Sequence, residues 1–231
     1  MDDAMKNVLI TGATGNLGTR VVDRFVSSKE YNVIVTTSGR GPQASSSVTA
    51  YSANLIDEYS AAEMVSKVIA NHSRIDAVVL LVGGFAMGGF AESDGATFKK
   101  MLALNFESAY NVVRPVLEQM KKQPEGGRMV LIGARPSLRP KDGKNMIAYA
   151  LSKSLIFKLA ELVNAEGVNY HVTASVIVPS TIDTETNRAA MPNADFSKWV
   201  DPADIASSIF YLCSDQGKAL RETVLKMYGD S

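Results

Sequence analysis

The chain has a single cysteine, Cys213, so no disulfide can form within it. That residue ends the apolar run Ile209-Phe210-Tyr211-Leu212-Cys213 and reads as a small buried side chain rather than a nucleophile. The two histidines, His72 and His171, are isolated. With no cysteine or carboxylate at ligand spacing beside them, no metal site is expected. Neither sign of charge is in excess, since Lys plus Arg and Asp plus Glu are 24 each. This gives no footprint for nucleic acid or for an anionic membrane. No uninterrupted apolar stretch reaches the ~18 residues of a membrane span. Met1-Asp2-Asp3 lacks the basic start of a signal or transit peptide, so the cytosol is the expected compartment.

What is present is an ordinary globular composition, 46% hydrophobic and 21% charged, over 231 residues. That length suits one α/β domain, 1–231, with a sizeable core. Short apolar runs alternate with helical patterns from end to end. Strands are expected at Val8–Thr11, Asn32–Thr37, Val48–Tyr51, Ile75–Val82, Arg128–Ile132, Tyr170–Val178 and Thr223–Met227. Helices are expected at Gly15–Ser28, Asp57–Asn71, Asp94–Lys122 (kinked at Pro115), Tyr149–Glu166 and from Pro202. Repeated β-α units imply a doubly wound parallel sheet of Rossmann type, in three αβα layers. Ala134–Met146 reads as a loop. The segment 180–198 is too long for a mere connection and reads as a lid or substrate loop.

The stretch Thr11-Gly12-Ala13-Thr14-Gly15-Asn16-Leu17-Gly18 follows the first strand and opens a helix. Gly12 permits a tight turn, Gly15 lets the backbone approach a pyrophosphate, and Gly18 lets helix and strand pack closely. The helix N-terminus offers free N–H groups and a positive dipole end, so Thr14, Asn16 and Leu17 belong to the same phosphate site. The spacing is Gly-x-x-Gly-x-x-Gly rather than Gly-x-Gly-x-x-Gly. An Asp or Glu ending the second strand would bond the ribose 2′-hydroxyl of NAD(H). The chain has Thr36-Thr37-Ser38-Gly39-Arg40 instead. Ser38 and Arg40 suit a 2′-phosphate, which favours NADP(H) and leaves NAD(H) possible. Asn54 is placed either to bond the adenine amino group or simply to make a turn.

Tyr149 and Lys153 stand at i and i+4, so both project from one helix face. A neighbouring ammonium lowers a phenol's pKa, and the pair can then pass a proton near neutral pH. The order of glycine turn, strand ending in Gly83-Gly84, Asn105 on a long helix and Tyr149-x-x-Ser152-Lys153 resembles the short-chain dehydrogenase/reductase superfamily over the whole chain. The resemblance implies Tyr149, Lys153 and Asn105 as catalytic, with Asn105 holding a water behind the lysine. It implies that Gly83 and Gly84 pass the cofactor ribose. It also places Pro179, Thr181, Ile182 and Thr184 of Pro179-Ser180-Thr181-Ile182-Asp183-Thr184 against the carboxamide, with Ser180 in place of the usual Gly. The superfamily's usual dimer face falls on the helices at 94–122 and 149–166.

One departure bears on the substrate. Where the superfamily usually has a serine that holds a substrate carbonyl, this chain has Gly133-Ala134-Arg135, and the side chain of Ala134 cannot donate. Ser137, three residues on, is the candidate replacement. Gly133-Ala134-Arg135-Pro136-Ser137-Leu138 and Ile182-Asp183-Thr184-x-x-Asn187-Arg188-x-x-Met191-Pro192-x-Ala194-Asp195-Phe196-Ser197-x-Trp199 are similar to the dihydropteridine reductase branch. That branch lacks the serine and implies a pterin substrate, reduced from its quinonoid dihydro form, and a homodimer. Phe85 and Trp199 would wall a flat ring. Two features differ from that branch: the missing Asp after the second strand, and Asn105. A reductase of another small carbonyl or imine, or a non-catalytic dinucleotide sensor, are the alternatives.

Overall fold

The computed structural model describes residues 5–38 and 47–230. Among them run strands β1 (Lys6–Thr11), β2 (Tyr31–Thr37), β3 (Val48–Ser52), β4 (Ala77–Leu80), β5 (Gly127–Ile132), β6 (Val172–Pro179) and β7 (Val224–Met227). They form one seven-stranded sheet in the order β3-β2-β1-β4-β5-β6-β7, parallel throughout. The helices are α1 (Asn16–Ser28), α2 (Glu58–His72), α3 (Gly95–Leu102), α4 (Ser108–Met120), α5 (Arg135–Leu138), α6 (Pro140–Gly143), α7 (Ile147–Gly167), α8 (Glu185–Ala190) and α9 (Pro202–Cys213).

Side-chain alternation divides the core into two halves. Leu9, Ile34, Val78, Leu131 and Val176 face α2, α4 and α7. Val8, Ile10, Val35, Val79, Val130 and Ile177 face α1 and α9. All eight residues of β6 are buried, because it lies inside the sheet between β5 and β7 with helices on both faces. The doubly wound three-layer architecture is therefore as expected. None of the described helices is long and apolar enough to cross a membrane.

The order of strands positions the site. β1 pairs with β2 on one side and with β4 on the other, so the chain reverses its winding direction there and leaves a crevice at the strands' carboxyl ends. The Thr11 turn, the Gly83–Gly89 loop and the segment after β5 all open onto that end.

Several boundaries differ from expectation. The run Ile75–Val82 is apolar throughout, yet β4 covers only Ala77–Leu80. Its flanks bond elsewhere: the Ile75 N–H donates to the Gln123 side chain at 2.9 Å and the Leu81 N–H to Thr11 Oγ1 at 3.2 Å. The expected helix Asp94–Lys122 is three pieces, because a π-helical turn, Ala103–Glu107, separates α3 from α4. Pro115 lies inside α4, and the irregularity is upstream of it. Ala134–Met146 contains the single turns α5 and α6, each with a proline in its first turn (Pro136 and Pro140), where the missing N–H costs nothing. The segment 180–198 carries α8 and the 3₁₀ turn Phe196–Lys198.

Candidate active site

The phosphate turn is closed to larger residues by backbone on two sides. Gly12 adopts φ +68°, and a Cβ there would lie 2.9 Å from the Val82 nitrogen. A Cβ on Gly18 would lie 2.1 Å from the Gly12 carbonyl oxygen. At Gly15 a Cβ would meet only that same oxygen, at 3.4 Å, so the space it leaves belongs to the cleft. Side chains cap α2, α3, α8 and α9 (Asp57, Asp94, Thr184 and Asp201), whereas α1 begins at Gly15 with no side-chain cap. Its first N–H groups are left for an outside acceptor. Leu17 packs its side chain on the α1–α9 core and can offer a ligand only its backbone. The residues present thus fit a dinucleotide.

A cleft of about 630 Å³ runs from this turn along the ends of β2 and β3. Thr14, Gly15, Thr37, Ser38, Asn54 and Gly83 are among its lining residues. Ser38 therefore sits where a ribose hydroxyl or phosphate would be read, while Arg40 lies outside the described residues. The Asn54 side chain makes the turn, accepting the Ile56 N–H at 3.3 Å, and still faces the cleft.

At the far end, Asn105, Ser152 and Lys153 are buried polar residues. The π turn presents Asn105, whose Oδ1 accepts the Gly84 N–H at 2.8 Å and whose Nδ2 donates to Ser152 Oγ at 3.0 Å. Ser152 in turn donates to the Tyr149 carbonyl at 2.8 Å. A Cβ on Gly83 would lie 2.7 Å from Asn105 Oδ1 and 3.4 Å from Lys153 Nζ, so only glycine lets this loop approach so closely. Lys153 Nζ donates to the Ile132 carbonyl at the end of β5, at 2.8 Å. The loop after β4 is also pinned to the start of α7: the Gly88 N–H donates to the Asn145 carbonyl at 2.7 Å, and the Ile147 N–H to the Gly88 carbonyl at 3.0 Å.

The protonation of the pair corrects the sequence reading. A neighbouring ammonium was expected to lower the Tyr149 phenol, but burial pushes it up to about 12. Burial also brings Lys153 down to about 8. The phenol thus keeps its proton at neutral pH, and the ammonium stays largely charged there.

The proposed substrate residues do not all meet. The Phe85 ring lies 5.0 Å from the Tyr149 ring, edge to face, and is 59% exposed, which leaves its surface open to a ligand. Trp199 instead packs against Phe196 at 4.7 Å, and among the described residues no ring contact joins it to Phe85 or Tyr149. Ala134 is buried, two residues beyond the end of β5. Ser137 Oγ donates to the Ala134 carbonyl at 2.5 Å, so its proton is engaged within the α5 turn. Beyond Pro179, which ends β6, the Val200 N–H donates to the Thr181 carbonyl at 2.9 Å. The Ile182 carbonyl accepts from Asn187 Nδ2 at 2.8 Å, and Thr184 Oγ1 caps α8 at 3.1 Å.

The connecting role of Ser152 was not legible in the sequence. A serine three residues after the tyrosine is a visible signal, but its partners depend on how α7 lies against the π turn.

Residues 6–195 match the short chain dehydrogenase family profile, and the chain belongs to that family of oxidoreductases. It is 31% identical over 212 residues to the dihydropteridine reductase of Dictyostelium discoideum, covering 89% of this chain and 86% of that protein. It is 26% identical over 239 residues to the 2,3-dihydro-2,3-dihydroxybenzoate dehydrogenase of Escherichia coli (strain K12), covering 93% and 92%. Among solved structures, ElxO with NADP bound superimposes with a TM-score of 0.88 at 23% identity, over 97% of this chain and 98% of that one. The protein is thus an oxidoreductase of the short chain dehydrogenase family, and it shares its fold with ElxO.

Proposed function

We propose that the protein reduces a quinonoid dihydropterin to the tetrahydropterin with NADPH. The observation that carries this is the buried Ala134, two residues after the Ile132 carbonyl that accepts from Lys153, with the nearby Ser137 proton already engaged. Such a site offers no side-chain donor there for a developing alkoxide, but it does offer a proton. A conjugated imine needs only the proton, because hydride addition to it leaves charge on nitrogen rather than on a carbonyl oxygen. The likeness to a protein named dihydropteridine reductase supports the same substrate.

When bound, the dinucleotide supplies the hydride. Tyr149 gives its phenolic proton to the substrate nitrogen, so one hydride and one proton together make the two-electron reduction. Lys153 would hold the nicotinamide ribose, and its ammonium would offset the charge left on the phenolate. Asn105 acts through position: both ends of its amide are engaged, and they tie the Gly83–Gly84 loop to the helix carrying Tyr149. Phe85 covers one face of the ring. The test is to follow NADPH and NADH oxidation with freshly generated quinonoid dihydropterin and with a panel of ketones and imines. Turnover of ketones alone would favour the wider reductase reading. No turnover with any of them, despite tight dinucleotide binding, would favour a sensor.

Arg40 is proposed to read the 2′-phosphate. Arg40→Ala is expected to weaken NADPH by about 1.5–3 kcal/mol, the loss of one charge-assisted bond, and to leave NADH nearly unchanged. Titration with each cofactor checks it. Equal losses for both would place Arg40 in the fold instead.

A homodimer through α4 and α7 is proposed as well. Leu151, Leu155 and Leu162 on α7 and Tyr110 on α4 are exposed large apolar residues on the helices where the family usually pairs. Sedimentation velocity should give twice the chain mass, and Leu155→Glu with Leu162→Glu should halve it. A monomeric wild type would refute the interface.

A further inference from the structure

We propose that Asn16 and Thr186 form a latch that positions the substrate segment on the phosphate turn and thereby slows release of the dinucleotide. Asn16 Nδ2 donates to Thr186 Oγ1 at 3.0 Å, joining groups 170 residues apart in sequence. Asn16 is the first residue of α1, directly after the cleft-lining Gly15, so its backbone N–H is one of the helix's uncapped donors while its side chain holds α8. One residue therefore serves both the phosphate and the segment over the substrate.

The bonds that shape α8 and its flanks are made within their own segment. Thr184 caps α8, and Asn187 reaches back to the Ile182 carbonyl at 2.8 Å. Arg188 pairs with both oxygens of Asp183, at 2.6 and 2.7 Å. The Asp183 N–H is anchored to the Val200 carbonyl at 2.8 Å. These bonds are all local to residues 181–200. Among the described residues, the Asn16–Thr186 bond is the side-chain hydrogen bond that ties α8 to the dinucleotide half. Both of its ends are exposed. A neutral bond in water is weak, so it can open on the time scale of turnover, unlike the buried Asn105–Ser152 contact.

This inference rests on the dinucleotide reading of the cleft but not on the pterin. The test compares Thr186→Val, which keeps the shape and removes the oxygen, with Thr186→Ser, which keeps the oxygen. Two rates are read: NADPH dissociation by stopped-flow fluorescence, and tryptic cleavage after Arg188 without dinucleotide. The Val variant is expected to speed both about two- to tenfold, the worth of one neutral hydrogen bond, and the Ser variant to stay near wild type. Wild-type rates in the Val variant, or a Ser variant as fast as Val, would overturn the latch. Failure of wild type to bind NADPH or NADH would overturn the dinucleotide reading, and with it the control of release.

Discussion

Tyr149→Phe is expected to lower turnover about 10²–10⁴-fold, the usual worth of a positioned general acid. Dinucleotide affinity should barely change. The phenylalanine keeps the ring that packs edge to face on Phe85 at 5.0 Å, so what is lost is the proton and its oxygen. Because burial holds the phenol near 12, wild type carries that proton across the whole neutral range. The alkaline limb of kcat/KM should then belong to Lys153, whose charge is lost as pH rises through about 8. Steady-state rates, a pH profile and a cofactor titration of both proteins measure this. A variant that keeps more than about a third of the wild-type rate, with chemistry limiting, would show that the proton comes from elsewhere.

Ala134→Ser should separate the two kinds of reductase. On a pterin, the new hydroxyl has no oxyanion to meet, and the rate should stay level or fall. On ketones, a donor aimed at the developing charge should raise kcat/KM about tenfold or more. The local geometry gives the hydroxyl a second use. Ala134 is the residue that starts α5, in an extended conformation (φ −157°, ψ 145°), where a serine oxygen caps a helix by accepting an N–H. Accepting that bond leaves the serine proton free to point at a substrate, so capping and carbonyl binding do not compete. Unfolding curves should therefore show no loss of stability, which keeps the kinetic comparison clean. A large gain on ketones, with wild type inert toward the pterin, would defeat the pterin reading.

How far the site was legible depended on the range of the interactions involved. The phosphate turn was readable because its glycines answer to local backbone geometry and to a helix that begins within four residues of them. Tyr149 and Lys153 were readable because helical periodicity alone puts i and i+4 on one face. The protonation of that pair was not readable. A neighbouring ammonium suggests a lowered phenol, but burial dominates, and burial is set by α7 lying against β5 and the loop after β4. Likewise the expected long helix hid the π turn, since one extra residue in a turn leaves the apolar pattern almost unchanged while rotating Asn105 onto Ser152 and Gly84.

The amino-acid sequence by itself determined the αβα class and the parallel order of β-α units. Each of these follows from patterns within about 20 residues, where period, turn residues and helix spacing act without reference to distant chain. Only the tertiary structure decided which of the nominated residues meet. It put Phe85 on Tyr149 and left Trp199 on Phe196. It engaged the Ser137 proton on the Ala134 carbonyl and joined Asn16 to Thr186. Such contacts depend on strand order and on how the helices are seated. Those are settled by the packing of the whole core, so no local pattern encodes them.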